Sequence, residues 1–218
     1  MNWGEFLTEL RGELNDSGST QKFGDDLLYV FLRDGIVALS EWLPLDIGRL
    51  TLTAEETDPK KFKLPTDFIE EYLVECPLDN ALTFRYVRPG VRRSPSARPL
   101  FYWTNAGYLL LDADPGDNAV LLSYYGVHGI PASADEKDFD LTTPLRDIEL
   151  LKLCILGRAY QRERSRQSML DRFKLGSGDR QDNPVTPEVN EYLQQYEEKL
   201  AERIGGKAVF LSRDRSRK

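Results

Sequence analysis

The chain has 218 residues, 40% of them hydrophobic and 30% charged, with a formal net charge of -7 and a pI near 5.0. That length suits one large domain or two small ones, and surface scaling lets roughly 70% of the unfolded area be buried without covalent staples. The acidic balance argues against a general nucleic-acid binder, which needs a basic surplus to displace counterions from phosphate.

The opening "MNWGEFLTEL" lacks the basic start and long apolar run of a secretory signal. No stretch approaches the roughly 18 apolar residues of a membrane span. A soluble chain made in the cytoplasm is the expectation. Trp3, Phe6, Leu7, Leu10 and Leu14 recur at helical spacing, with Glu5, Glu9 and Glu13 on the other face. "NDSGST" is turn chemistry. A second helix opens where Asp25 is placed to cap and Asp26 meets the positive end of the dipole. Leu27, Leu28, Phe31, Leu32, Ile36, Leu39 and Trp42 form its apolar face, and Pro44 ends it. The short connection predicts antiparallel neighbours.

From about Leu50 the period changes. "RLTLTAEE" alternates like a strand, and "FKLPTDFIEEYLVEC" reads as a strand, a proline-started turn and another strand. "ALTFRYVRP", "RPLFYWT", "GYLLLDAD" and "AVLLSYYGV" are β-branched or aromatic runs, with "TNAG" and "DPGDN" as turns. Residues 46–135 are expected to form an antiparallel β-domain inserted between helices. Helical spacing returns after "DFDLTTP", where Thr143 is placed to cap and Pro144 suits the first turn. Leu145, Ile148, Leu151, Ile155 and Ala159 mark one face, and the helix turns polar and basic after Arg158. "GSGDRQDNPVTP" has linker composition. A fourth helix is expected from near Pro187, with Val189, Tyr192, Leu193, Tyr196, Leu200 and Ile204 on its seam, stopped by Gly205 and Gly206. The fold expected is thus α+β: a bundle of about four helices from residues 1–45 and 140–204, the inserted β-domain, and an extended tail over 205–218.

Residues that carry chemistry are sparse. The lone histidine, His128, has no cysteine or carboxylate near it at metal-ligand spacing, and a structural or exposed role is expected. Cys154 lies in the apolar "LLKLCILG" and reads as a small buried hydrophobe; Cys76 is far from it in sequence. The serine-nucleophile elbow, the phosphate-cradling loop and paired-cysteine zinc spacing are absent. Neighbouring acids such as Asp25/Asp26, Glu55/Glu56 and Glu70/Glu71 point in different directions and read as solvated surface. No catalytic residue, cofactor or metal ligand is therefore assigned.

The aromatics and charges say more. Phe101, Tyr102 and Trp103 are consecutive, as are Tyr124 and Tyr125, so rings fall on both faces of their strands. Either both faces are packed by this chain or one face is closed by another. Residues 1–84 hold seventeen acids against seven bases, whereas "RYVRPGVRRSPSAR" has five arginines and no acid. The distal half of the third helix and the tail are also basic. Such segregation suits head-to-tail contact between copies, with Arg92, Arg93, Tyr102, Arg158, Arg162 and Arg166 as candidates to face a neighbour or a partner.

"WGEFLTELRGELNDSGSTQKFGDDLLYVFLRDGI" resembles the opening of tailed-phage head-to-tail connector adaptors: short helix, polar loop, aromatic-turn-acidic step, second helix. "FKLPTDFIEEYLVE" is similar to their passage from bundle to inserted β-domain. "LLSYYGVHGIPASADEKDFDLTTPLRDIELLKLCILGRAYQRE" is similar to their last strand and long third helix, and "VNEYLQQYEEKLAERI" to their closing helix. The resemblance implies a structural virion protein rather than an enzyme: a ring, twelve-fold in that family, at the neck below the portal. Such a ring extends the channel through which packaged DNA passes unread, and it presents a surface to tail or neck proteins. The helical bundle would then lie near the portal and the β-domain toward the tail. Within that picture "KAVFLS" has strand alternation suited to pairing with an exposed edge. Val209, Phe210 and Leu211 would anchor on the portal, with Arg213, Arg215, Arg217 and Lys218 against acidic surface there. Two other readings stand beside it: a β-sandwich flanked by helices that binds a protein partner, and an enzyme whose carboxylate site is not visible in sequence.

Overall fold

The computed structural model describes residues 1–18, 20–75, 85–86, 101–112, 114–116, 119–174 and 185–205. The fold is α+β, with four helices and two sheets. The chain divides into a helical unit, Met1–Leu43 with His128–Lys218, and a β unit, Pro44–Val127. The expected boundary at residue 135 lies later than this division, because the segment after Val127 bonds to the helices. Trp3 and Gly4 donate backbone N–H to the carbonyls of Phe139 and Lys137, and Trp3 Nε1 donates to Ala134 O at 3.1 Å.

Helix α1 spans Trp3–Glu13 and starts with a capping box: Asn2 Oδ1 accepts from Glu5 N at 2.8 Å while Glu5 Oε2 accepts from Asn2 N at 2.9 Å. Its apolar stripe, Trp3, Phe6, Leu7 and Leu10, is buried. Helix α2 spans Asp25–Trp42 and buries Leu28, Leu32, Ile36 and Leu39. Asp25 does not cap it. Gly24 occupies the cap position without a side-chain bond, and Asp25 is the first helical residue, its carboxylate taken by cations.

Helix α3 spans Leu145–Lys174, and α4 spans Val185–Ile204. Thr143 does not cap α3 either. Its Oγ1 is buried without a hydrogen-bond partner, and the Pro144 carbonyl instead receives the N–H groups of Asp147 and Ile148. Pro187, expected near the start of α4, falls within its first turn, where a missing N–H costs no helical bond. The main helix packings are α2 on α3 and α3 on α4. Small residues let these helices close up: a Cβ at Gly35 would lie 3.0 Å from Leu151 Cδ1, and one at Gly157 2.8 Å from Leu193 Cδ2. Helix α1 is held by its buried stripe and by ion pairs from Arg11 to Asp16 and Asp25 and from Glu9 and Glu13 to Lys152.

The β unit holds β1 (Leu45–Leu52), β2 (Ala54–Glu55), β3 (Asp58–Lys63), β4 (Phe68–Glu75), β5 (Arg85–Tyr86), β6 (Phe101–Asn105), β7 (Tyr108–Leu111) and β8 (Val120–Gly126). They form a three-stranded sheet, β1-β8-β4, and a five-stranded sheet, β2-β3-β7-β6-β5. All pairings are antiparallel except β5 with β6, which run parallel and depart from the antiparallel expectation. One core serves both sheets: Leu52, Val74, Val120, Leu122 and Tyr124 from the first meet Phe62, Tyr102, Leu109 and Leu111 from the second. The β6–β7 hairpin turns through Ala106 (φ 48°) and Gly107 (φ 79°), the left-handed pair that a two-residue hairpin requires.

The chain leaves the helical unit at Leu43 and re-enters it at His128. These points are fastened together. His128 Nε2–H donates to the Leu43 carbonyl at 2.9 Å, its backbone N–H donates to Ser40 Oγ at 3.1 Å, and its Nδ1 lies 3.4 Å from Thr142 Oγ1. The histidine is thus structural, as expected of it.

Candidate functional site

Two constellations stand out, one in each unit. In the helical unit the polar loop between α1 and α2 winds around Asp16. Its carboxylate accepts from Arg11 Nη1 at 2.9 Å, Lys22 N at 2.6 Å and Phe23 N at 3.1 Å. Arg11 is buried and also reaches the Phe23 carbonyl and Asp25, and Asp25 pairs again with Lys137 Nζ at 2.6 Å. The Lys137 and Arg11 cations hold the Asp25 carboxyl below its ordinary range. Lys152 of α3 does similar work against α1, 3.2 Å from Glu9 and 3.0 Å from Glu13. Burial disfavours its ammonium, but these glutamates outweigh that and raise its pKa. Buried Asp147 of α3 holds Arg203 of α4 at 2.7 Å.

In the β unit the outer face of β1-β8-β4 carries an exposed aromatic and acidic array. Tyr125 of β8 lies opposite Asp46 of β1 on one side and Glu70 of β4 on the other, a single rung pointing one way. A register shift between Glu71 and Leu73 lets Tyr72 stand beside Tyr125, ring centroids 4.9 Å apart. Tyr72 Oη donates to Asp46 Oδ1 at 2.7 Å, and that hydrogen bond raises the phenol's pKa. Tyr72 is 45% exposed and Tyr125 36%, while Tyr124, the next residue, faces the core and donates to Asp67 at 3.1 Å. Burial, helped by the Asp67 charge, pushes the Tyr124 phenol up to about 12.

The residues singled out in sequence fare differently. Tyr102 belongs to the β core at 6% exposure, so its ring is not available to a neighbour. The alternation of β6 buries the middle ring and leaves Phe101 and Trp103 half-buried. Arg158 is partly buried and pairs with Asp34 at 3.3 Å, next to the buried thiol of Cys154. Arg162 is exposed on α3 and makes no ion pair among the described residues. Arg166 lies on α3, but its side chain falls outside the described residues, as do Arg92, Arg93, Val209, Phe210, Leu211, Arg213, Arg215, Arg217 and Lys218. Of the expected contact residues whose side chains are described, Arg158 and Arg162 lie one turn apart on α3 and Tyr102 lies in the β core. Tyr72, Asp46 and Glu70 were not singled out in sequence; the signal was the consecutive Tyr124-Tyr125 pair, which forces one ring outward.

Among the described residues, no group of three or more His, Cys, Asp or Glu could hold a metal ion, and no helix is long and apolar enough to cross a membrane. No family model matches the chain, and none of the curated proteins compared with it is detectably similar.

Proposed function

We propose that this chain is the subunit of a phage head-to-tail connector, an adaptor that assembles as a ring below the portal, extends the DNA channel and offers the tail a docking surface. The observation that carries the reading is the order of elements: two helices, an inserted β unit, a long third helix and a closing helix. That is the order implied by the resemblance of "WGEFLTELRGELNDSGSTQKFGDDLLYVFLRDGI" and "LLSYYGVHGIPASADEKDF" to such adaptors. An exposed tyrosine face and, on α3, an arginine with no ion pair among the described residues are further support, since a ring subunit needs unlike surfaces at its two flanks. A net negative charge suits a channel wall along which DNA slides without being held.

The test is the mass and shape of the full chain, alone and mixed with portal vertices, by native mass spectrometry and negative-stain imaging. Rings of about twelve copies support the proposal; a monomer under both conditions overturns it. Within the same reading, residues 207–218 are the portal contact; a stretch of that length covers about 40 Å when fully extended. Deleting them leaves folded subunits that no longer complete heads, scored by the yield of tailed particles. Wild-type yield from the truncated chain removes the tail from the contact.

A further inference from the structure

The tyrosine face of the β unit has the composition of a guanidinium receptor. Its rung is carboxylate, phenol ring, carboxylate (Asp46, Tyr125, Glu70), with a second ring at Tyr72. The β unit already uses this chemistry internally: Lys61 Nζ stands 3.8 Å over the Tyr108 ring and pairs with Glu55 at 2.9 Å. There the cation comes from the same sheet. At Asp46 and Glu70 no cation is supplied, for neither has an ion-pair partner among the described residues. A cation over tyrosine between two acids is held by ring quadrupole and charge together.

The complementary group is on the same chain. Arg162 is exposed on α3 and unpaired among the described residues, and Arg166 follows one turn later, about 6 Å along the axis. The two carboxylates sit on strands either side of β8, about 10 Å apart in the sheet. Positions 162 and 166 lie one helical turn apart on α3, so the exposed Arg162 and the helix that follows it are matched in length to the rung. We propose that the Asp46–Tyr125–Glu70 rung, with Tyr72, receives the Arg162–Arg166 stretch of α3 from a second copy of this chain. The contact is head-to-tail, sheet face to helix, so each copy uses both surfaces and the association closes into a ring or continues. This deepens the connector reading and rests on it.

The experiment uses two charge-reversed full-length variants, D46K/E70K and R162E/R166E, with sedimentation velocity as the readout. Asp46, Glu70 and Arg162 are exposed, so the reversed chains fold, checked by circular dichroism. Each variant alone sets like charges together and loses association by about tenfold or more. An equimolar mixture regains it, because alternating copies place a lysine-bearing face against a glutamate-bearing helix and an acidic face against an arginine-bearing helix. A contact within one chain cannot be rescued by mixing. Tyr125→Ser, neutral in charge, weakens association in the same direction. Rings of wild-type stability from either variant, or a mixture that fails to regain association, overturn this contact and leave the ring reading standing. A wild-type chain that stays monomeric alone and with portal vertices overturns both.

Discussion

The two units of this protein are held together by different physics. The helical unit packs an apolar core in which Trp3, Phe6, Leu10, Leu28, Ile36 and Ile155 are fully buried, and adds long-range ion pairs between its elements: Arg11 with Asp16 and Asp25, Lys152 with Glu9 and Glu13, Asp147 with Arg203. The β unit closes two sheets over a core of aliphatic and aromatic side chains, with Tyr124 and Asp67 as its main buried polar contact. Buried ion pairs contribute little net stability but strongly penalise alternative arrangements, because each misplaced partner leaves a bare charge. Both units are packed, and the helical unit adds one pair buried on both sides, Arg11 with Asp16, that a wrong arrangement of the loop would strand.

Substitutions break the comparison open. Arg11→Ala leaves the buried Asp16 carboxylate without its cation and should cost about 3 kcal/mol in the helical unit, read as faster hydrogen exchange there with the β unit unchanged. Leu122→Ala is the counterpart: it empties a fully buried site in the β core and should cost about 2–5 kcal/mol, speeding exchange in the β unit alone and doing so at any pH. Acid separates the units further. The folded pKa of Asp25 lies below its ordinary 3.8, so its contribution is complete above that value and disappears as pH falls through the depressed one. The helical unit should lose this contribution below about pH 4, and Asp25→Asn should flatten that slope while costing about 1 kcal/mol at neutral pH, measured by denaturant titration. The smallest effect is a gain. Ala106 holds a left-handed φ in the β6–β7 turn, and Ala106→Asn should stabilise the β unit by up to about 1 kcal/mol, seen in its melting temperature.

The same division decides what could be read from the amino-acid order. Periodic apolar positions placed α1 and α2 well: Trp3 to Leu14 and Leu28 to Leu39 follow their expected faces because burial imposes the period. Charges resisted reading. Asp25 has the residue type of a cap, yet its partner Lys137 lies 112 residues away and no local rule anticipates it. Thr143 has the residue type of a cap but sits one position before the carbonyl that starts α3. The parallel pairing of β5 is two residues long, too short for any periodic signal. The outward tyrosine array was half visible: consecutive tyrosines require one exposed ring, but the bulge that brings Tyr72 beside Tyr125 is a matter of register.

The bond from His128 to the Leu43 carbonyl leaves the helical unit with a closed seam where the β unit departs. Excision is then geometrically simple: a few glycines joining Leu43 to His128 would reconnect α2 with the approach to α3 without disturbing either. Termini that meet in this way are the usual condition under which nature trades one insert for another. The helical scaffold can thus persist while what it carries is exchanged, as a handle keeps its fitting while the blade is replaced.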